Sequence, residues 1–292
     1  TLYEEVIRRY SGAKISLRAH NLEYEIWERA AGQCHPGWKK SYLSLLASRL
    51  KRYEIQALKR QAFLVPISDR DLANFKSQGF VGKTCLCPIG VDLLHYNFTD
   101  QGFERFAVSF LGAMDWLPNR EGIQWFLSEV WPGFRLHYPE SELHIGGRNM
   151  PETWVSKPEE GIFMHGEVPD ARAFLAAYPV MVVPLFSGSG MRAKIIEAMA
   201  LSRCVLTTPL GLEGIPAEKN ISVCLADQGP DFISELQSLA GDLTRARGIG
   251  QAARKLIQED FQSSAIAKKL ILAYEDWLET SEPLQKNTRK YG

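Results

Sequence analysis

Hydrophobic residues along the chain follow two different periods. Short apolar runs without polar alternation, such as residues 180–183, are typical of parallel strands that are covered on both faces. Longer segments between these runs carry apolar residues at every third or fourth position, which is the pattern of helices with one buried side. Since strands and helices alternate, the pattern predicts an α/β fold with parallel sheets and right-handed crossovers.

The alternation falls into two groups, separated by a polar segment at residues 95–104 that has no periodicity. Each group predicts one open parallel sheet. Strands are predicted at residues 14–18, 62–67 and 83–87 in the first group and at 106–111, 142–145, 161–165, 180–183, 204–208 and 221–225 in the second. Helices are predicted at residues 38–61, 69–78, 119–130, 170–178, 232–239, 248–258 and 264–279. Ser68 is the predicted N-cap of the second helix.

The loop and helix that follow the strand at 180–183 are where we place the chemistry. Residues 187–190, Ser-Gly-Ser-Gly, are small, so the backbone can approach a ligand closely and its N–H groups can face an anion. Met191, Lys194 and Glu197 are spaced three apart on the helix that follows. An ordinary strand-loop-helix unit without a ligand fits this pattern, and so does a nucleotide-sugar site. The combination favours the second interpretation, because Arg192 and Lys194 suit phosphate oxygens and Glu197 suits sugar hydroxyls.

Length and charge narrow the class of protein. At 292 residues the chain exceeds what one core usually organises, which favours two domains. Lys plus Arg and Asp plus Glu both number 34, and this zero net charge argues against a nucleic-acid-binding protein. No apolar run reaches bilayer length and no signal peptide follows Thr1, so we expect a cytoplasmic protein, with an upstream targeting segment left open.

Five cysteines are scattered along the chain, at Cys34, Cys85, Cys87, Cys204 and Cys224. The odd number and irregular spacing fit a reducing compartment better than a disulfide scaffold. Cys85 and Cys87 lie two apart in a predicted strand, with no second pair nearby, so we interpret them as core thiols and not as metal ligands.

Other candidate residues lie at strand ends and on the long helix. His20 follows the first strand, where open α/β sheets bind ligands, and this position favours a ligand-binding role over the alternative of a packing or capping histidine. Gly147 and Arg148 follow the strand at 142–145, as a plain turn or as ligand-binding residues. The basic residues of the helix at 38–61 are most simply a solvated face, and a membrane-facing surface is the alternative.

Several motifs together resemble those of a known family. Residues 194–200 (KIIEAMA), 204–208 (CVLTT) and 211–215 (GLEGI) are similar to the donor-binding core of the GT-B glycosyltransferases, in the large retaining group 1 or family 4 type that uses nucleotide-sugars. Similar stretches precede them in the family's order, at residues 110–116, 118–119, 125–126, 131–132, 143–148 and 165–170. The resemblance extends from about residue 15 to about residue 274 and is stronger in the second half.

The resemblance implies two Rossmann-like domains. Residues 1–97 would form the C-terminal part of the acceptor-side domain, and residues 98–280 the donor-binding domain, with the last helix packed back on the first domain. Residues 281–292 are a polar tail. Because the first domain has too few strands before residue 14, we expect roughly a third of such an enzyme to precede Thr1.

The resemblance also implies a function. It predicts transfer of a sugar from a UDP- or GDP-sugar to an acceptor such as a growing glycan or lipid-linked saccharide in surface polysaccharide synthesis, without metal or other cofactor. Nucleic acid is not an expected partner, and peripheral membrane contact would come from the part that precedes Thr1. The implied catalytic residues are His20, Arg192, Lys194 and Glu197. The implied donor-binding residues are Gly112, Gly147, Arg148, Gly166, Val168, Ser189, Gly190, Met191 and Glu197.

The chain departs from the family pattern at two places in the donor site. Many members carry two glutamates eight positions apart, and here Ser189 stands at the first position, which leaves the identity of the donor sugar open. Many members also place an Arg just after the glycine that corresponds to Gly112, where this chain has Ala113 and Met114. A nucleotide-binding module without catalysis and a nucleotide-sugar epimerase of the same fold are alternative functions, and Ser189 counts against the epimerase.

Overall fold

A computed structural model describes residues 3–11, 13–96, 103 and 105–280, without the side chains of Glu5 and Gln33. The predicted domain boundary between residues 97 and 98 and the predicted tail at 281–292 lie outside the described residues. The chain divides into two compact units, Thr1–Pro88 with Ser264–Gly292, and Ile89–Ser263.

The first unit contains a small parallel sheet and five helices within its described residues. The sheet has the strand order β1-β2-β3. Its strands are β1 (Ser16–Ala19), β2 (Phe63–Pro66) and β3 (Lys83–Thr84). The helices are α1 (Glu4–Tyr10), α2 (Glu23–Gln33), α3 (Trp38–Lys59), α4 (Asp69–Ser77) and, beyond the second unit, α11 (Ser263–Thr280).

Strand β2 is the centre of the first unit, because all four of its residues are buried. On one side Phe63 lies against two aromatic rings of α11, with centroid distances of 5.2 Å to Tyr274 and 4.9 Å to Trp277. Cys85 and Cys87 are buried in the same cluster, which fits their interpretation as core thiols. Ser68 caps α4 as predicted, since its Oγ accepts a hydrogen bond from the N–H of Asp71 at 3.1 Å.

Helix α2 is an element that the hydrophobic pattern does not predict. Its N-cap residue, Leu22, makes no side-chain capping hydrogen bond. Instead, the carboxylate of Glu54 on α3 accepts hydrogen bonds from the N–H groups of Glu23 and Tyr24, at 3.1 and 3.3 Å. The first turn of α2 is therefore capped by a residue distant in sequence, which leaves no local start signal.

The second unit is a six-stranded parallel sheet with helices between the strands. Its strands are β4 (Ala107–Leu111), β5 (Glu142–Gly146), β6 (Ile162–Gly166), β7 (Val180–Val183), β8 (Cys204–Thr207) and β9 (Cys224–Leu225). Its helices are α5 (Leu117–Trp125), α6 (Trp131–Arg135), α7 (Ala171–Ala176), α8 (Ala193–Ala200), α9 (Gly229–Gly241) and α10 (Leu243–Asp260).

The strand order of this sheet is β6-β5-β4-β7-β8-β9. Numbered within the unit, the strands run third, second, first, fourth, fifth and sixth, which is the doubly wound order that binds ligands where the direction of winding reverses. The reversal falls between β4 and β7, which pair in parallel. The carboxyl ends of these two strands, followed by Gly112 and by the loop at residues 184–192, therefore define the expected binding crevice.

Helix boundaries differ from the sequence prediction where proline and capping residues intervene. The helix predicted at 119–130 begins at Leu117 and ends in a π-helical turn, Phe126–Val130, in which Trp131 N–H donates to Phe126 O. Pro132 follows, and because it has no N–H and crowds the preceding turn, the α-helical ladder cannot continue through it. Helix α10 begins five residues earlier than predicted, since Asp242 caps it at Thr244 and Arg245.

Candidate functional site

The crevice between β4 and β7 is lined at its base by closely packed backbone. Gly112 N–H donates to Gly146 O at 3.1 Å, across the ends of β4 and β5. A Cβ atom at Gly147, whose φ is 149°, would lie 1.8 Å from Gly112 O, so only glycine fits there. A Cβ at Gly112 would lie 2.8 Å from Lys194 Nζ. The loop after β4 therefore lies directly against the amino group of Lys194.

Lys194 reaches across the crevice from α8 to α5. Its Nζ donates to Asn119 Oδ1 at 2.5 Å and lies 4.7 Å from the centroid of the Phe110 ring. Asn119 is itself buried, and its Nδ2 donates to Ala113 O at 2.9 Å. The buried amide thus joins the loop after β4 to the amino group, a contact that the sequence analysis missed because Asn119 and Lys194 are far apart in the chain.

Burial, followed by the positive charge of Arg192, lowers the pKa of Lys194 to about 7. Near neutral pH the amino group is therefore divided between its charged and neutral forms. An anion bound beside Nζ stabilises the charged form and raises this pKa, so the site takes up a proton together with the anion.

Arg192 is the N-cap residue of α8 and is 5% exposed. Its guanidinium donates to the carbonyl oxygens of Ser189 and Gly190, the latter at 2.6 Å, and lies 5.6 Å from the ring centroid of Trp116. The carbonyl groups of this loop thus face Arg192. The N–H groups of Ser189, Gly190 and Met191 make no hydrogen bond to any described residue. These three donors precede the N-terminus of α8, where an anion is favoured. Helix α8 begins at Ala193, so Met191 lies in the loop and not on the helix.

Ser189 adds a buried polar atom to this loop. The residue is 8% exposed, and its Oγ makes no hydrogen bond to any residue in the described ranges. A buried hydroxyl without a partner is unfavourable by itself, so its position marks a place where a ligand group can form a hydrogen bond.

Glu197 lies one turn further along α8 and contacts a tyrosine. The hydroxyl of Tyr96 donates to Glu197 Oε1 at 3.3 Å. Burial raises the pKa of Glu197, and the hydrogen bond from Tyr96 and the charge of Arg172 partly oppose this rise. Burial, followed by the charge of Glu197, raises the pKa of Tyr96 to about 12. Both residues line a cavity of about 560 Å³ whose other walls are Ile89, Gly90, Val91, Asp92, His95, Pro169, Asp170, Ala171, Arg172 and Ala193.

The backbone on either side of the Tyr96 side chain is held by two arginines. Arg172 Nη1 donates to His95 O at 3.2 Å, and Arg254 Nη1 donates to Tyr96 O at 3.0 Å. Asp92 caps the short 3₁₀ turn that precedes Tyr96 by accepting from Leu94 N–H at 3.1 Å. The sequence analysis assigned residues 95–104 to a polar linker and did not anticipate this site residue, for which no local motif exists.

The remaining predicted donor residues lie at the ends of β5 and β6. Gly166 ends β6 in the left-handed region, with φ of 63°. Val168 packs against the end of β5, since a Cβ at Gly146 would lie 3.0 Å from Val168 Cγ1. Arg148 is exposed, and its carbonyl accepts from Met114 N–H at 2.9 Å. These residues share the binding edge of the sheet with Gly112.

His20 lies in the other unit, exposed just after β1. His20 belongs to the first unit, whereas the residues around α8 belong to the second. Within the described part of the chain, no group of three His, Cys, Asp or Glu residues could hold a metal ion. None of the helices in the described ranges is both long and apolar enough to cross a membrane.

Comparisons with known proteins agree with this architecture. Residues 105–242 match a family model described as glycosyl transferases group 1. A curated relative, described as an uncharacterized 44.6 kDa protein in the cps region of Klebsiella pneumoniae, is 20% identical over 263 residues. The match covers 86% of this chain and 66% of the relative, so the chain spans slightly less than two thirds of the relative's length.

Two solved structures have the same fold at low sequence identity. Sucrose-phosphate synthase from Thermosynechococcus elongatus gives a TM-score of 0.73 at 17% identity, over 96% of this chain and 72% of that protein. The pneumococcal O-GlcNAc transferase GtfA in complex with UDP and GlcNAc gives 0.68 at 14% identity, over 94% of this chain and 55% of that protein. The predicted GT-B fold is confirmed, and within it residues 105–242 match the group 1 glycosyl transferases.

Proposed function

We propose that this protein transfers a sugar from a UDP- or GDP-sugar to a carbohydrate acceptor in the cytoplasm, with retention of configuration, during synthesis of a surface polysaccharide. The family match over residues 105–242 supports the transferase class. The UDP complex of GtfA supports a nucleotide-sugar donor, and the cps-region relative supports polysaccharide synthesis. The acceptor is a growing glycan or a lipid-linked saccharide.

The observation that carries this proposal is the position of Lys194 at the point where the sheet reverses its winding. Its amino group lies beside Gly112 and next to the loop that ends in Arg192. We infer that the donor diphosphate accepts hydrogen bonds from Lys194 and from the N–H groups of Ser189, Gly190 and Met191. As the sugar leaves, negative charge grows on the diphosphate, and Lys194 and Arg192 stabilise it.

The rest of the donor extends from this diphosphate position along the sheet edge. Glu197 accepts hydrogen bonds from the ribose hydroxyls, because a carboxylate is a strong acceptor for them. Gly147, Arg148, Gly166 and Val168 border the nucleotide on the side of β5 and β6. Because two of these residues are glycines, the nucleotide can approach the backbone closely there and accept hydrogen bonds from main-chain N–H groups.

The sugar of the donor lies on the opposite side of the diphosphate. The hydroxyl of Ser189 is available to one sugar hydroxyl, since it has no partner among the described residues. The family resemblance alone assigns His20, in the first unit, to the donor sugar. No metal ion takes part, because the arginine and lysine supply the charge that the leaving group requires.

Calorimetric titration with UDP, GDP and ADP tests the donor site. We expect one of them to bind with a Kd between about 1 μM and 1 mM, corresponding to about 4–8 kcal/mol. Lys194→Met weakens the binding, whereas Lys255→Met, at an exposed lysine of α10, leaves it unchanged. If none of the three nucleotides binds, the donor-site assignment is wrong.

A second assay separates transfer from the alternatives. Release of nucleoside diphosphate from a panel of nucleotide-sugars is measured with and without candidate saccharide acceptors. Acceptor-dependent release supports a transferase. A binding module gives binding without release, and an epimerase gives a changed sugar that stays attached to the nucleotide.

A further inference from the structure

Trp116 is an exposed aromatic residue at the edge of the crevice between β4 and β7. It is the N-cap residue of α5 and ends the loop that begins at Gly112. Trp116 is 38% exposed, although Met114 before it and Asn119 after it are buried. Ligand sites are lined mainly by apolar and aromatic side chains, so a large indole that is left open to the crevice is a candidate ligand contact.

The ring of Trp116 packs against the loop that follows β7. A Cβ atom at Gly188, whose φ is 96°, would lie 3.2 Å from Cζ2 of the indole and 3.5 Å from its Cη2. The guanidinium carbon of Arg192 lies 5.6 Å from the ring centroid. The indole therefore contacts both ends of the short segment that contains Ser189. It connects the loop after β4 with the loop after β7 at the point where the sheet reverses its winding.

Two polar atoms in this part of the crevice are available to a ligand. Trp116 Nε1 donates to no residue in the part of the chain that the structure describes. Ser189 Oγ is buried and likewise has no partner among the described residues. A ligand that fits here has an apolar face for the indole and hydroxyl groups for these two atoms. A hexopyranose has both, because its axial C–H bonds form an apolar face and its hydroxyl groups surround the edge of the ring.

The order of groups along α8 shows which part of the donor reaches Trp116. Lys194 lies in the first turn of α8, and Glu197 lies one turn further toward its C-terminus. With the ribose at Glu197 and the diphosphate at Lys194, the next group of the donor extends away from Glu197, beyond the N-terminus of α8. Ser189 and Trp116 lie on that side. The group that follows the diphosphate in a nucleotide-sugar is the sugar.

We propose that the indole of Trp116 stacks on the C–H face of the donor sugar, while its Nε1 and Ser189 Oγ form hydrogen bonds with the sugar hydroxyls. This inference rests on the proposed function, whose donor site it extends by one sugar-contacting residue. A nucleoside diphosphate ends before the indole, so Trp116 contributes to the binding of nucleotide-sugars and not to that of the diphosphate alone.

Calorimetric titrations of Trp116 variants test this proposal. UDP is compared with UDP-glucose and UDP-galactose, and GDP with GDP-mannose. In Trp116→Leu we expect the nucleotide-sugars to bind about three- to tenfold more weakly, the range of one aromatic contact, while the diphosphates change by less than about twofold. Trp116→Phe retains most of the affinity, because a ring remains beside the sugar. Trp27→Leu, at a residue of the first unit that is 36% exposed, is the matched control and changes neither affinity.

Tryptophan fluorescence gives a second measurement that does not depend on how well Trp116→Leu folds. In the wild type we expect a nucleotide-sugar to change the emission more than the matching diphosphate does, because the sugar covers an exposed indole. Trp116→Phe abolishes this difference between the two ligands, whereas Trp27→Phe retains it. Circular dichroism melts establish that each variant is folded.

The possible failures are distinguishable. Equal losses of diphosphate and nucleotide-sugar affinity in Trp116→Leu overturn the inference, because Trp116 then serves only to shape the loop at residues 187–190. Unchanged affinities in that variant also overturn it, since the donor sugar then does not contact the indole. If no nucleotide binds to the wild type, the proposed function itself is wrong, and the inference falls with it.

Discussion

The hydroxyl of Tyr96 donates a hydrogen bond to Glu197 Oε1 at 3.3 Å, from a backbone segment that Arg172 and Arg254 hold in place. One carboxylate oxygen is thereby oriented, and we expect Oε2 to accept from a ligand hydroxyl. The hydrogen bond also favours the ionised form of Glu197, whose pKa burial raises.

Tyr96→Phe therefore lowers the affinity for the nucleoside diphosphate, because Glu197 is no longer held in one orientation, and we expect a loss of no more than about 1 kcal/mol, the usual net value of the hydrogen bond that is removed. It also moves the acid limb of the binding profile to higher pH, because Glu197 loses an interaction that lowers its pKa. Calorimetric titrations with the nucleoside diphosphate at a series of acidic pH values measure both effects. Tyr138→Phe is the matched control, since that hydroxyl donates to Gln237 O at 3.2 Å outside the site. An unshifted profile in Tyr96→Phe contradicts the orienting role.

Binding of the diphosphate is expected to take up a proton at Lys194. The pKa of the free group is about 7, so at pH 8 most of the amino groups are neutral, and the bound anion raises the pKa. Affinity therefore falls as the pH rises above neutrality. Titrations at pH 8 in buffers with different ionisation enthalpies measure the proton uptake, which disappears in Lys194→Met. Equal heats in all buffers would falsify the pKa assignment.

Glu197 and Lys194 are expected to contribute to different parts of the ligand. Glu197→Gln weakens binding of the nucleoside and of the nucleoside diphosphate alike, by about 1–3 kcal/mol, because a charged acceptor for the ribose is lost. Lys194→Met weakens binding of the nucleoside diphosphate and leaves binding of the nucleoside nearly unchanged. Glu152→Gln, at an exposed position, serves as the control. Equal losses of nucleoside and diphosphate in Lys194→Met would show that Lys194 does not contact the phosphates.

Gly147 is expected to tolerate no side chain. In Gly147→Ala the new Cβ would lie 1.8 Å from Gly112 O, so the loops after β4 and β5 must separate, which lowers the free energy of unfolding by about 1–3 kcal/mol. Gly248→Ala is the matched control, because that helix position has no atom within 4 Å and alanine stabilises a helix by about 0.5–1 kcal/mol. Urea denaturation gives the free energy of unfolding of both variants and of the wild type for comparison. A stability loss in Gly248→Ala as large as that in Gly147→Ala would contradict a steric cause.

The hydrophobic pattern by itself determined the α/β class and most elements of the second unit. Val180–Val183 was predictable because a continuous apolar run of strand length, ended by a proline, is typical of a covered parallel strand. Arg192, Lys194 and Glu197 could be proposed as a group because they lie close together in the chain, directly after a loop of small residues, and their role stays a prediction. Ser68 was predictable as a cap for the same reason, since it lies next to the helix that it begins.

Only the tertiary structure decided which distant residues complete the site. Asn119 meets Lys194 because α5 and α8 begin on the same edge of the sheet, and Tyr96 meets Glu197 because two arginines hold its segment beside α8. The order of the strands, which places β4 beside β7, is likewise absent from any local pattern. The spacing of residues along the chain predicts which side chains are neighbours within one helix or strand. Contacts between elements form only when the sheet brings the ends of its strands together.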